Sequence, residues 1–333
     1  MRSPSSSSGL GRRPGRPTRF ALHRLPALAA AIAFACHPAL AQDKGASKAR
    51  SAAPAPAAQP ASPGALDTLK RIRETGTILI GVRESSVPFS FLDAQKQPQG
   101  YSVDLCVRVA DAVKAELKMP KLEVRFVPVT SSNRIPALLE GKIDLECGST
   151  TNTRDRQKEV AFAYTTFVAG IKMLAKKSSN VSSLDDLRGK SIVVTKGTTS
   201  EKMMKAMNDE RVLRMTIVES PDHGESFKAV DEGKAIAFPM DDVLLYGLIS
   251  KSKKPDDWAV VGKYLSVEPY AIMLRKDEPA FEKIVNRALI DLFQSGEVRR
   301  LYAKWFNTKD LVVPLNSYLK EAFATPNTYP AWP

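Results

Sequence analysis

Polar and charged side chains follow five apolar runs of the sequence, and their chemistry suits a small charged molecule. The five segments are residues 83–89, 130–134, 148–156, 196–201 and 241–242. They combine arginines, hydroxyls and acids: an arginine fork pairs with a carboxylate, a hydroxyl donates to it, and an aspartate accepts from an ammonium group. Their composition predicts a binding site for a small zwitterion.

The apolar runs alternate with helical patterns, and this order determines where the polar segments lie. Strands are predicted over residues 78–82, 124–129, 143–147, 192–195, 216–218, 235–240 and 270–274. Helices are predicted over residues 103–117, 134–140, 200–208, 226–232, 243–249 and 281–305. Such alternation indicates an α/β fold built from βαβ units with mostly parallel sheets. Ligands of these sheets bind beyond the carboxyl ends of the strands, where the polar segments fall.

The N-terminus predicts export. Residues 1–24 carry six arginines and no acid, and an apolar run rich in Ala and Leu follows at residues 25–35. We interpret residues 1–41 as a signal peptide cleaved after Ala41. Processing at Cys36, with a lipid anchor on that residue, is the alternative. Residues 42–65, rich in Ala and Pro, contain few large apolar side chains and are expected to form a disordered linker.

Charge and composition exclude several classes of function. Removal of the signal peptide lowers the formal net charge from +13 to +7. The remainder lacks a Lys/Arg tract with interleaved aromatic residues, so nucleic-acid binding is not expected, whereas a modest basic excess favours capture of an anion. The sequence has no His/Cys spacing typical of metal sites, no Gly-x-Ser-x-Gly and no phosphate loop. We therefore expect neither a metal nor a cofactor.

Six motifs resemble those of the periplasmic amino-acid-binding proteins of ABC importers, and more narrowly the glutamate/aspartate-binding branch. They lie at residues 100–104, 131–134, 148–156, 197–201, 222–224 and 240–242, and the resemblance extends from about residue 66 to 306. It implies a two-lobed periplasmic-binding-protein fold with two mixed sheets, flanked by helices and joined by two hinge strands. Lobe 1 would comprise residues 66–168 and 270–310, and lobe 2 residues 169–269. We expect residues 311–333 to form an extended tail.

The resemblance also assigns nine residues to the ligand. The half of the site that binds the α-amino-acid group would consist of Ser149, Thr151, Arg156, Thr199 and Asp241. The half that binds the side-chain carboxylate would consist of Arg83, Ser131, Arg134 and His223. Arg156 would bind the α-carboxylate and Asp241 the α-ammonium, although Arg134 could instead serve the α-carboxylate. These roles imply a monomeric periplasmic protein that captures glutamate or aspartate by lobe closure and delivers it to the membrane subunits of an ABC permease.

Several alternatives stay open. Related two-lobed folds include periplasmic dehydratases, for which Glu84 or His223 could act as the acid/base group, and a binding protein of this kind could instead select another polar amino acid such as glutamine. Arg83 could simply pair with Glu84 or another surface acid, and Asp241 could simply cap the next helix. The cysteines beyond the signal peptide, Cys106 and Cys147, could form a disulfide in an oxidising compartment or remain separate.

Overall fold

The computed structural model describes residues 67–331. In chain order, the helices are Thr68–Thr75 (α1), Tyr101–Glu116 (α2), Arg134–Leu139 (α3), Thr199–Glu210 (α4), His223–Asp231 (α5), Asp242–Ser250 (α6), Pro279–Gln294 (α7), Glu297–Phe306 (α8) and Ser317–Ala324 (α9). The predicted signal peptide, residues 1–41, and the predicted linker, residues 42–65, lie outside the described residues. Between residues 67 and 331, no helix has the length and apolar character needed to cross a bilayer.

The strands form two five-stranded sheets and one small three-stranded sheet. In chain order they are Thr77–Val82 (β1), Ser85–Ser86 (β2), Ser90–Leu92 (β3), Pro98–Gln99 (β4), Glu123–Pro128 (β5), Leu145–Glu146 (β6), Val160–Ala169 (β7), Ile171–Lys176 (β8), Ser191–Thr195 (β9), Thr216–Ser220 (β10), Ala237–Asp241 (β11), Trp258–Val261 (β12) and Glu268–Arg275 (β13). The first sheet has the order β5-β1-β6-β13-β7, and the second sheet β10-β9-β11-β8-β12.

Both large sheets are mixed. In the first sheet β1 pairs in parallel with β5 and β6, whereas β13 runs antiparallel to β6 and β7. In the second sheet β9 pairs in parallel with β10 and β11, whereas β8 runs antiparallel to β11 and β12. The predicted α/β fold with two mixed sheets and flanking helices is confirmed. The chain passes from the first sheet to the second between β7 and β8, and it returns between β12 and β13.

An aromatic cluster under the first sheet connects the core with the strand ends. The ring of Phe89 lies 4.8 Å from that of Phe167 and 5.1 Å from that of Tyr270, while Phe167 stacks on Phe306 at 4.9 Å. Pairs of this kind contribute about 0.5–1.5 kcal/mol each beyond the area that they bury. The cluster fixes Tyr270, whose hydroxyl group donates to Asp241 at the end of β11 in the second sheet.

Three features differ from the sequence-based expectations. The helix α1 and the strands β2, β3, β4, β7, β8 and β12 were not predicted. The helix predicted over residues 281–305 is two helices, because Gly296 adopts the left-handed conformation (φ 76°) between α7 and α8. The tail is also not extended throughout: α9 forms because Leu319 and Phe323 are buried, and Phe323 packs on Phe293 of α7 at 4.9 Å.

A disulfide joins the first long helix to the central part of the first sheet. Cys106 in α2 and Cys147, directly after β6, are bonded, with their Cα atoms 6.3 Å apart. Both residues are buried. The alternative of two free thiols is therefore wrong, and the segment that follows β6 is anchored at its first residue.

Candidate functional site

A small cavity lies where the strand ends of the two large sheets meet, and its volume is about 10 Å³. Eight of the nine candidate residues line it, namely Ser131, Arg134, Ser149, Thr151, Arg156, Thr199, His223 and Asp241, together with Thr198 and Met240. The ninth, Arg83, lines an adjoining pocket with Glu84, Pro128, Val129, Thr130 and Asp222.

The cavity walls are the first residues after strands, as βαβ geometry requires. Arg134 begins α3, Thr199 begins α4 and His223 begins α5. Thr198 caps α4 by accepting from the backbone N–H of Glu201 at 3.0 Å. Asp241 ends β11 and precedes α6, but its side chain makes no capping hydrogen bond. The capping interpretation of Asp241 is therefore wrong, and its carboxylate is available to the cavity.

Arg83 is a buried cation with unused donors. It is 1% exposed, and neither Nη1 nor Nη2 has a hydrogen-bond partner in the part of the chain that the structure describes. The alternative of an ion pair with Glu84 is therefore wrong. Burial, together with the neighbouring charge of Arg134, lowers the pKa of Arg83 to about 10, and the guanidinium remains cationic at neutral pH. A buried charge without a partner costs several kcal/mol, so this position favours an anion.

The rest of the predicted side-chain half surrounds the same region with further unpaired atoms. Arg134 donates through Nη1 to Thr150 Oγ1 at 2.6 Å, whereas its Nε has no partner among residues 67–331. The hydroxyl of Ser131 and the Nε2 atom of His223 also lack partners within that range. Nδ1 of His223 lies 2.9 Å from Thr195 Oγ1. Burial and then the charges of Arg83 and Arg134 hold the pKa of His223 well below its usual range.

The predicted α-amino-acid half joins the two sheets. Arg156 donates through Nη1 to the carbonyl oxygen of Thr151 at 2.7 Å and through Nη2 to that of Gly197 at 3.2 Å. Burial, followed by repulsion from Arg134, lowers its pKa to about 9. A guanidinium has five N–H donors, so hydrogens remain for a carboxylate. Ser149 Oγ has no partner among the described residues.

The acidic end of the cavity is built around Asp241. Its Oδ2 accepts from the Tyr270 hydroxyl, and its Oδ1 is buried without a partner among the residues described. Burial and then the nearby carboxylate of Glu268 raise the pKa of Asp241 well above its usual range. Thr199 donates to Glu268 at 2.9 Å. An ammonium group would supply both the missing donor and the missing positive charge.

Comparison with known proteins identifies the family of this chain. The family described as "Bacterial extracellular solute-binding proteins, family 3" matches residues 78–308. The chain belongs to this family. The "L-glutamate/L-aspartate-binding protein" of Pseudomonas aeruginosa is 48% identical over 266 residues, which cover 78% of this chain and 88% of that protein. The "Glutamate/aspartate import solute-binding protein" of Salmonella typhimurium is 44% identical over 276 residues, covering 81% and 91%.

Solved structures agree on the fold of this family 3 solute-binding protein. A mutant of ArgBP from T. maritima superposes with a TM-score of 0.65 at 28% sequence identity, and the match covers 72% of this chain and all of that one. The periplasmic-binding-protein fold inferred from the motifs is thus confirmed. Among residues 67–331, no group of three or more His, Cys, Asp or Glu side chains is arranged to hold a metal ion.

Sequence reasoning missed several residues that contact the predicted site residues of this solute-binding protein. They are Glu146, Thr150, Thr195, Glu268 and Tyr270. Glu146 had a detectable signal: it is an acid within a predicted buried strand, two positions after another acid, Asp144. Buried carboxylates need partners, so such a pattern indicates nearby cations.

Proposed function

We propose that this solute-binding protein captures L-glutamate or L-aspartate and delivers it to an ABC importer. The observation that carries the proposal is the buried guanidinium of Arg83, whose two terminal nitrogens have no partner among the described residues. The names of both relatives above describe binding or import of these two amino acids. An acidic side chain supplies the counter-charge that Arg83 lacks, and a neutral side chain does not.

The ligand would be enclosed between two lobes. We assign residues 66–168 and 270–310 to lobe 1 and residues 169–269 to lobe 2, since the chain changes sheets close to these positions. Arg156 of the first lobe and Asp241 of the second contribute to one cavity. Only a closed form brings both sets of contacts to the ligand, so binding stabilises closure.

We assign the ligand groups to the candidate residues of the cavity and of the adjoining Arg83 pocket. Arg156, Ser149, Thr151 and the N-terminus of α4 at Thr199 bind the α-carboxylate. Oδ1 of Asp241 accepts from the α-ammonium. The side-chain carboxylate binds Arg83, Ser131, Arg134 and His223. At Arg83, Ser131, Arg134, Ser149 and Asp241 the assignment pairs a buried atom that has no partner among the described residues with the opposite group, which removes the cost of leaving it unsatisfied.

Location and partners follow from the same proposal. Residues 1–41 act as a signal peptide that directs the chain to the periplasm, where it works as a monomer. The closed form then docks on the membrane subunits of an ABC permease. The names of both relatives are those of binding proteins and not of enzymes, and the site is explained by binding alone.

Isothermal calorimetry with glutamate, aspartate and glutamine tests the proposal. We expect the two acidic amino acids to bind at least about a hundredfold more tightly than glutamine, because a site that pairs a buried charge rejects the neutral isostere. Thermal denaturation supplies a second measurement, since a ligand that binds only the folded state raises Tm. Equal affinity for glutamine and glutamate would refute the acidic specificity, and loss of ligand after addition would indicate an enzyme instead.

A further inference from the structure

Glu146 is a buried acid directly behind the side-chain half of the site. It ends β6, the central strand of the first sheet, and is 0% exposed. Its Oε1 has no hydrogen-bond partner among the described residues. A Cβ atom added at Gly148 would overlap this Oε1 and lie 2.8 Å from Cγ of Arg83. Glu146 and the stem of Arg83 therefore pack against the same face of one glycine.

A short relay of hydrogen bonds connects Glu146 to the second arginine of that half. Nη1 of Arg134 donates to Thr150 Oγ1 at 2.6 Å, and the hydroxyl of Thr150 donates to Oε2 of Glu146. A guanidinium cannot accept a hydrogen bond, so Thr150 accepts from Arg134 and its single hydrogen is free to bond the carboxylate. The carboxylate thus holds Thr150, and through it Arg134, in position.

The charge of Glu146 also reaches all the arginines of the cavity. Burial lowers the pKa of Arg83, Arg134 and Arg156, and the Glu146 carboxylate acts against that effect at each of them. Arg83 and Arg134 bring two positive charges to the side-chain half, and Glu146 brings one negative charge. Among the fully buried groups of this half one positive charge remains in excess, and it matches the single carboxylate of an acidic side chain; the half-buried Asp222, which lines the Arg83 pocket, acts on Arg83 as well.

We infer that Glu146 determines specificity in the side-chain half, by cancelling one of its two arginine charges and by holding Arg134 through Thr150. The inference rests on the proposed capture of an acidic amino acid. Glu146 acts through Arg83 and Arg134 and does not touch the ligand, so it is a positioning residue. Its effect should therefore appear in the discrimination between glutamate and glutamine rather than in stability alone.

The substitution Glu146→Gln separates charge from shape. Glutamine keeps an oxygen that can accept from Thr150 and removes the negative charge, so the half carries two uncancelled positive charges. We expect the ratio of the Kd for glutamine to the Kd for glutamate to rise about tenfold, as close charge pairs at interfaces couple at this level or above. Calorimetry on the purified variant measures both constants.

Thr150 provides a second test if the first variant does not fold. Thr150→Val keeps the shape of the side chain but breaks the relay, so Arg134 loses its orientation and the same ratio should fall about tenfold. Thr150→Ser retains the hydroxyl and should restore the wild-type ratio. A normal ratio in Thr150→Val would overturn the relay.

Asp144 offers a matched control on the same segment. Asp144 is also 0% exposed, and it pairs with Arg275 at 3.1 Å, outside the cavity. Asp144→Asn removes the same charge and should lower Tm without changing the ratio. The inference would be overturned if Glu146→Gln left the ratio of the two Kd values unchanged, or if Asp144→Asn changed that ratio as much. Neither result would affect the proposed function, provided that the wild-type protein still selects acidic amino acids. A wild-type protein that binds neither acidic amino acid would refute the proposed function itself.

Discussion

Nη2 of Arg156 donates to the carbonyl oxygen of Gly197 at 3.2 Å, and this hydrogen bond joins the strand ends of the two large sheets. Arg156 follows β6 of the first sheet, and Gly197 follows β9 of the second. The contact forms on one wall of the cavity. The residue proposed to bind the α-carboxylate therefore also makes a hydrogen bond that depends on the position of the second sheet. Ligand capture and closure thus share one guanidinium.

Gly197→Ala should impair closure. A Cβ atom at this position would lie 2.6 Å from the Cα of Ser132 and 2.7 Å from the carbonyl oxygen of Ser131, and Gly197 has a φ of 81°. Backbone atoms cannot yield as a flexible side chain can, so the two strand ends must stay farther apart. We expect at least about a tenfold loss of glutamate affinity, since lost closure contacts couple at this level, and X-ray scattering should show a larger radius of gyration with ligand than for the wild type.

Gly233→Ala is the matched control for that substitution. Gly233 also adopts a positive φ, 74°, but nothing lies within 4 Å of the added Cβ. It therefore introduces the left-handed strain, about 1 kcal/mol, without the steric overlap. A similar loss of affinity in both variants would show that strain, and not contact between the sheets, is responsible.

Arg156→Met should abolish binding of glutamate, aspartate and glutamine alike, because all three present the same α-carboxylate. Removal of one partner of a buried charge pair costs about 3–5 kcal/mol. Arg125→Met, which removes an exposed arginine paired with Glu123 at 2.9 Å, should leave binding unchanged. Calorimetry that found wild-type affinity for any amino acid in Arg156→Met would remove this residue from the site.

Arg83→Met should act selectively. The binding free energy of glutamate and of aspartate should weaken by about 3–5 kcal/mol. That of glutamine should weaken much less, because the side-chain half of the site then holds only the pair of Arg134 and Glu146. Tm without ligand should stay equal or rise, since the substitution removes a buried cation whose two terminal nitrogens have no hydrogen-bond partner among the described residues. Equal losses for glutamate and glutamine would place Arg83 outside the side-chain half.

Much of this architecture could be predicted from sequence because strand ends and helix starts carry local signals. The capping residue Thr198 and the polar segments after β1, β5, β6, β9 and β11 are examples. The antiparallel strands β7 and β8 include polar residues such as Thr165, Thr166 and Lys172, and only Gly170 separates the two strands, so no turn pattern distinguishes them. The helix α9 depends on burial of Leu319 and Phe323 against other elements, which no local pattern reveals.

The candidate site shows the same division. All nine candidate residues lie at the cavity or next to it. Eight of them belong to the polar segments that follow strands, but the choice of these residues, and of His223, came from the resemblance to the amino-acid-binding proteins. The contact of Tyr270 with Asp241 joins the two sheets, so no local pattern of the sequence reveals it. The low pKa of His223 likewise depends on two arginines that are distant in sequence.

Removal of the disulfide should lower stability more than affinity. Cys106 and Cys147 are 41 positions apart, and loss of a native disulfide in a small exported domain typically costs about 2–5 kcal/mol. The double variant Cys106→Ala, Cys147→Ala should show this loss in chemical denaturation, whereas saturating glutamate should recover part of it. Wild-type stability in the double variant would contradict a stabilising role of the bond.

His223 makes the stability of the ligand-free protein depend on pH. Its pKa in the folded protein is held well below the usual range by burial and then by the charges of Arg83 and Arg134, whereas the unfolded value is about 6.5. Protons therefore favour the unfolded chain: stability is complete above about pH 6.5 and is lost as pH falls toward the folded-state pKa. Thermal denaturation between neutral and acidic pH should show this, and His223→Asn should flatten the dependence below pH 6.5.

The hydrogen bonds of His223 predict that the affinity for an acidic ligand has the opposite pH dependence to stability: affinity rises as pH falls. Ser226 donates to the carbonyl oxygen of Asp222 at 3.0 Å, so Thr195 must donate to Ser226 at 2.8 Å and accept from Nδ1–H of His223 at 2.9 Å. In the neutral ring Nε2 then carries a lone pair, which repels a carboxylate unless Nε2 becomes protonated.

His223 should accordingly take up a proton when an acidic ligand binds. A carboxylate beside Nε2 raises the pKa of His223, so affinity is greatest below the ligand-free pKa and falls as pH rises through the window between the free and bound values. The window begins well below the ordinary histidine pKa, because the ligand-free value is depressed. Calorimetry in two buffers of different ionisation enthalpy measures the uptake directly. An uptake that persists in His223→Asn would assign the proton to another group. That group is not Asp241, because its pKa is raised in the ligand-free protein and would fall beside an ammonium group, so Asp241 would release a proton.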